Sequence, residues 1–232
     1  MTMYEYTYIT WTLFFALIWI GLYFSRKDTR KEMLWISILM GFAGILTEST
    51  HVLDWWQPIT LTGTSVGFED FLIGFFIGGI ASVIYEFIAH KKLSSSQRVK
   101  KDPFFGKYFF RVFFLVVGFI FLGSFFLLSL HSFYALSLSL LCGIGYIWYR
   151  RHDLIKNSLI SGVLVGILGS LSYPLLEWIY PGWVNAFWNS ENVWFSYVLF
   201  NVPIAEYIWW FLAGTFIGPL YEYWNEKRLI NA

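Results

Sequence analysis

The stretch Ser25-Arg26-Lys27-Asp28-Thr29-Arg30-Lys31 separates two long apolar runs, 6–24 and 33–50, and concentrates basic residues between them. Lys and Arg resist translocation, so a cluster of this kind keeps its loop cytoplasmic. Three further clusters, 91–111, 150–156 and 227–228, take up all the remaining Lys and Arg. All sixteen basic residues fall on one side if the chain crosses a bilayer seven times. The loops on the other side carry acids, His and Trp but no Lys or Arg. The pattern predicts an all-α integral membrane protein with seven transmembrane helices, the N-terminus outside and the C-terminus in the cytoplasm. Its expected place is the plasma membrane, as a multi-pass protein.

Composition agrees. The chain of 232 residues is 57% hydrophobic, 23% aromatic and 13% charged, with a mean hydropathy of +0.58. That is membrane rather than soluble composition. The net charge of +1 says nothing about partners, because the basic residues act as topology signals. The single cysteine, Cys142, lies mid-span, which excludes a disulfide framework. The first apolar run has its basic cluster after it rather than before it, which suits an uncleaved first helix.

The predicted spans are 6–24, 33–50, 68–89, 109–130, 132–149, 157–176 and 202–224. A helix crossing a hydrocarbon core of about 30 Å needs roughly twenty residues. Only fifteen uncharged residues separate Asp70 from Glu86, and again Glu206 from Glu222. These carboxylates therefore belong at or inside the edges of the hydrocarbon.

The chain also repeats itself. Asp28-x-x-Lys31 recurs as Asp153-x-x-Lys156, and at the same offset Gly41 and Gly44 recur as Gly166 and Gly169. Asp54-Trp55 resembles Glu177-Trp178. At a second constant offset, Asp70, Gly78 and Tyr85-Glu86 recur as Glu206, Gly214 and Tyr221-Glu222. The expected organisation is a three-helix unit over 1–89, a cytoplasmic loop and connecting helix over 90–131, and a second three-helix unit over 132–232. The first and fifth helices run the same way, so the two units are parallel repeats joined by a fourth helix. The segment 90–107, with Ser94-Ser95-Ser96 and its basic residues, reads as a cytoplasmic loop.

The outer half of the predicted bundle gathers Glu48, Asp54, Glu69, Asp70, Glu177 and Glu206, with no Lys or Arg on that side to pair with them. Ionisable groups at membrane depth are costly and face a cavity or one another. Two readings stand side by side: proton-transfer groups in an apolar pocket, or helix caps and interfacial residues. Glu69, Asp70 and Glu206 are the candidates for the first; Asp54, Glu177 and Glu48 lean to the second. Glu86 and Glu222 sit beside basic clusters and are expected to be ion-paired at the cytoplasmic face. Trp209 and Trp210 follow Glu206 by one turn on its own helix face, where an aromatic ring can stabilise a carbocation or serve simply as packing. Gly74-x-x-x-Gly78 and Gly214-x-x-x-Gly218 read as close helix contacts. The four His lack ligand spacing, so no metal site is expected. No lysine lies within a span, which excludes a retinal Schiff base, and no nucleotide fingerprint is present.

With these residues in view, the chain resembles the membrane-integral lycopene cyclase family of bacteria, archaea and fungi. That family is built from two homologous three-helix halves. Each carries an acid next to Trp, then a Pro-x-Glu-Glu-aromatic motif opening its third helix. The second half reads Glu177-Trp178, Trp183, then Pro203-Ile204-Ala205-Glu206-Tyr207-Ile208-Trp209-Trp210-Phe211; the first reads Asp54-Trp55, then Gly67-Phe68-Glu69-Asp70-Phe71. Gly67 stands where the first copy has proline, and Ala205 where the second has its first glutamate, so three of four acids remain. The resemblance implies a redox-neutral isomerase without a cofactor that closes the end of an acyclic carotenoid into a ring. Its implied catalytic acids are Glu69, Asp70 and Glu206, and its implied substrate contacts Asp54, Trp55, Glu177, Trp178, Trp209 and Trp210. The partner is a lipophilic polyene or isoprenoid drawn from the bilayer, and no nucleic acid. The alternatives are a small transporter of the same layout, with proton-coupling carboxylates, and an inactive scaffold of a carotenoid pathway.

Overall fold

The computed structural model describes residues 4–98, 109–189 and 198–231. In chain order its elements are α1 (Thr7–Ser25), α2 (Arg30–Asp54), α3 (Phe68–Ile88), β1 (Lys91–Arg98), α4 (Phe109–Phe126) and α5 (Ser132–Arg150). A single 3-10 turn, His152–Leu154, leads into α6 (Ile155–Ile179). There follow α7 (Trp183–Phe187), β2 (Val198–Leu199), β3 (Val202–Pro203), α8 (Ile204–Ile217), α9 (Leu220–Asn225) and β4 (Lys227–Asn231).

Among the described residues five helices are long and apolar enough to cross a membrane: α1, α2, α3, α5, and α6 with the turn before it. The chain is thus a mostly helical membrane protein. α4 is apolar but shorter. The stretch expected as one last span, 202–224, is divided into α8 and α9, because Pro219 has no N–H with which to continue the ladder after Gly218. The expected span 33–50 gains a turn at each end, and the added outer turn carries His51 and Asp54.

α2 packs along α3 and α6 along α8, while α3 and α8 meet at the centre. The close crossings come from glycine. A Cβ on Gly44 would lie 2.4 Å from the Asp70 carbonyl oxygen, and one on Gly74 would lie 2.4 Å from that of Met40. In the other pair, a Cβ on Gly214 would lie 2.8 Å from the Ser161 carbonyl oxygen. Without a hydrophobic drive between helices in lipid, such backbone approach supplies much of the contact energy.

At the basic end of the bundle two arginines make matching sets of bonds. Arg26 binds Asp28 and donates to the carbonyl oxygens of Glu86 and Lys91, at 2.7 and 2.6 Å. Arg151 binds Asp153 and donates to those of Glu222 and Lys227, at 3.3 and 2.8 Å. His90 and Glu226 turn the chain with positive φ, 50° and 55°. Each turn delivers a strand, and β1 pairs with β4 antiparallel, joining the two halves. The expected loop at 91–98 is therefore a strand: its unpaired backbone groups find partners in β4. The rest of that segment, with Lys100, Lys101 and Lys107, lies outside the described residues.

Candidate functional site

Toward the opposite end, α1, α2, α3, α4, α5 and α8 enclose a cavity of about 240 Å³ whose wall is overwhelmingly apolar. Three carboxyl groups interrupt that wall: Glu48, Asp70 and Glu206.

Asp70 comes from the first turn of α3. One oxygen accepts from the Gly67 N–H at 2.6 Å, closing the helix start, and the other accepts from the Tyr8 hydroxyl at 2.5 Å. Glu206 comes from the first turn of α8, where Pro203 sets the entry to the helix. It accepts from the Tyr173 hydroxyl and from the Trp188 indole N–H, both at 2.6 Å. Each acid is thus held by a tyrosine from a different helix. Glu48 accepts from the Trp56 indole at 3.1 Å, and its other oxygen, Oε1, is buried without a partner among the described residues. A buried polar atom left this way is costly, which makes it a natural contact for something in the cavity.

Around the acids stands a connected set of aromatic rings. Trp11 lies at its centre, with ring centroids 5.4 to 6.3 Å from those of Trp56, Tyr173, Trp183, Trp188 and Trp210. Trp56 and Trp188 approach to 5.1 Å. Their backbones form an antiparallel bridge, flanked by Gln57 N–H to Phe187 O and Asn189 N–H to Trp55 O, each 2.7 Å. The segments that follow α2 and α7 are thus joined directly, and their Trp56 and Trp188 reach Glu48 and Glu206.

The sequence candidates divide accordingly. Asp70, Glu206, Trp55 and Trp209 line the cavity. Trp210 is buried behind it, stacked on Phe15 at 5.3 Å. Glu69 turns away to accept from the Leu61 N–H at 2.6 Å. Asp54 accepts from the Ser132 N–H at 2.8 Å and from its hydroxyl at 2.5 Å, capping α5. Glu177 accepts from the Gly182 N–H at 2.7 Å, and Trp178 is 82% exposed on the outer surface of the bundle. Sequence reasoning missed Tyr8, Trp11, Trp56, Tyr173 and Trp188, and did not place Glu48 in the site. Its one usable signal was spacing: Glu48 and Tyr173 are separated by the same offset as Gly41 from Gly166 and Gly44 from Gly169.

The family model for lycopene cyclase matches residues 5–88 and 131–224. The chain belongs to the lycopene cyclase family. The match takes in every carboxyl of the cavity and passes over the segment that holds β1 and α4. No curated protein and no solved structure matches the chain. Membership of the family supports a carotenoid-cyclase-like function in general, with a membrane-associated isoprenoid as substrate.

A second group of acids lies elsewhere. Glu32, Glu86 and Glu222 bring one carboxylate oxygen each to within 4.8 Å of one another at the basic end. The expected ion pairs of Glu86 and Glu222 are absent among the described residues. The guanidinium groups of Arg26 and Arg151 bind the backbone carbonyls of those residues instead.

Proposed function

We propose that this protein closes the end group of an acyclic, lycopene-like carotenoid into a ring, by proton transfer alone, inside the Glu48–Asp70–Glu206 cavity. The observation that carries the reading is the presence of three carboxyl groups on one largely apolar, tryptophan-rich wall. In this reading a carboxylic acid protonates the terminal C=C bond of the polyene and leaves a tertiary carbocation. The next double bond along the chain attacks that carbon through its far end, forming the ring bond and leaving the positive charge on its other carbon. A carboxylate then removes a proton to leave a cyclohexene. One proton enters and one leaves, so no oxidant or reductant is consumed.

We assign the donor role to Glu48, whose Oε1 has no hydrogen-bond partner among the described residues, and the acceptor role to Asp70 or Glu206, whose oxygens are already steered by donors. General acid–base chemistry needs these two states at once. Trp55, Trp56, Trp188 and Trp209 line the path of the cation, where ring faces stabilise positive charge and water is kept from trapping it. Asp54, Glu69 and Glu177 support loops and helix starts rather than touching substrate, and the exposed Trp178 lies away from the cavity. Seven spans, an outward N-terminus, a plasma-membrane location and descent from a duplicated three-helix unit complete the proposal.

The test is expression in a lycopene-accumulating bacterium, with carotenoids separated by chromatography. Cyclic products formed without added flavin or nicotinamide support the reading. Unchanged lycopene beside folded protein in the membrane overturns it.

A further inference from the structure

Glu32 in the first turn of α2, Glu86 at the end of α3 and Glu222 in α9 are 1%, 1% and 0% exposed. Both oxygens of Glu32, Oε1 of Glu86 and Oε2 of Glu222 have no hydrogen-bond partner among the described residues. The neighbouring cations are committed elsewhere. Arg26 holds Asp28 and two carbonyl oxygens, and Arg151 holds Asp153 and two more. Asn157 donates to Glu222 and to neither of the other two. Buried carboxylates stay ionised only with a compensating charge. Glu32 is decisive: a fully buried side chain whose carboxylate points into the cluster with nothing to receive it.

We propose that these three carboxylates bind one hard divalent cation of the Mg²⁺, Mn²⁺ or Ca²⁺ type. The ligand set contains only oxygen, which suits such ions and not zinc or copper. Metal–oxygen distances of about 2.0 to 2.6 Å place opposing ligands roughly 4 to 5 Å apart, and the observed oxygens fit inside 4.8 Å. The ion ties α2 and α3 of the first half to α9 of the second, beside the β1–β4 pairing. It acts as a clamp at the basic end, away from the cavity that holds Glu48, Asp70 and Glu206. The sequence expectation of no metal rested on His and Cys spacing, which such a site does not use.

The test uses the full chain in detergent, stripped with EDTA and titrated with Tb³⁺ as the hard-cation probe. Tyr221, adjacent to Glu222 in α9, is the intended antenna for Tb³⁺ emission. Emission saturating at one ion per chain and displaced by Ca²⁺, Mn²⁺ or Mg²⁺ supports the site. Glu32→Gln should weaken binding at least tenfold. A second measurement needs no variant: carbodiimide labelling of the wild-type protein, mapped by mass spectrometry, should be blocked at Glu32, Glu86 and Glu222 by the bound cation. Absence of saturable binding, undiminished labelling with every cation, or wild-type affinity in Glu32→Gln overturns the proposal. If Glu32→Gln does not accumulate, the labelling experiment alone decides.

Discussion

Trp56 and Trp188 meet at 5.1 Å, and each gives its indole N–H to a different acid, Trp56 to Glu48 and Trp188 to Glu206. One comes from each half of the chain, so a single ring contact orients two carboxyl groups. Trp188→Phe keeps most of the packing and removes the hydrogen bond to Glu206. The expected outcome is a fall in cyclisation rate with little change in the amount of folded protein. Trp56→Phe should do the same through Glu48, and both are read by product formation per folded molecule.

Glu206→Gln and Asp70→Asn test the acids themselves. Each variant keeps its size and loses its ionisable proton. If either acid transfers a proton, turnover should drop by about a hundredfold or more, the usual scale for positioned acid–base groups. Glu48→Gln should match that loss if Glu48 is the donor. Asp54→Asn is the contrast: its carboxylate caps α5, so it should cost about 1 kcal/mol of stability while activity per folded molecule survives.

Gly44→Ala tests the crossing beneath Asp70. The new methyl would meet the Asp70 carbonyl oxygen at 2.4 Å, a backbone atom that cannot move without α3. The expected cost is about 1 to 3 kcal/mol, read as a lower thermal midpoint in detergent and a lower turnover. Gly21→Ala, with nothing within 4 Å, should be close to neutral.

Arg151→Lys tests the anchor that holds α9 and the start of β4 at the basic end. Lysine cannot reproduce the planar fork that reaches Asp153 and two carbonyl oxygens at once. A loss of about 2 kcal/mol is expected, again from thermal melts. The matching pair, Arg26–Asp28, adds a pH dependence. The hydrogen bond from Arg26 holds the Asp28 carboxyl below its ordinary range, so its contribution is present at neutral pH and lost as pH falls through that lowered value. Arg26→Gln should remove this acid-sensitive step from the stability profile.

Topology is checked by reporter fusions. A tag after Asn231 should report cytoplasm and one near Gly63 the outside; an outward C-terminus would break the seven-span reading.

What was legible from the sequence alone is what local chemistry dictates. The apolar runs placed five of the seven expected spans to within a few residues of helices long enough to cross a membrane, because burying a backbone in lipid leaves few alternatives to a helix. The family motifs pointed to Glu69, Asp70 and Glu206, of which Asp70 and Glu206 line the cavity. Tertiary structure decided the rest. Tyr8 and Tyr173 read as ordinary aromatic residues of apolar helices until packing sets their hydroxyls against Asp70 and Glu206 from distant parts of the chain. Trp188, in an outer loop, reaches Glu206 only because that loop folds over the cavity. Glu69 and Asp70 are neighbours in sequence, yet successive residues of a helix point about 100° apart, so one faces the cavity and the other the Leu61 backbone. The convergence of Glu32, Glu86 and Glu222 depends on three helices from both halves meeting at one point, and no spacing along a single chain records where separate helices meet.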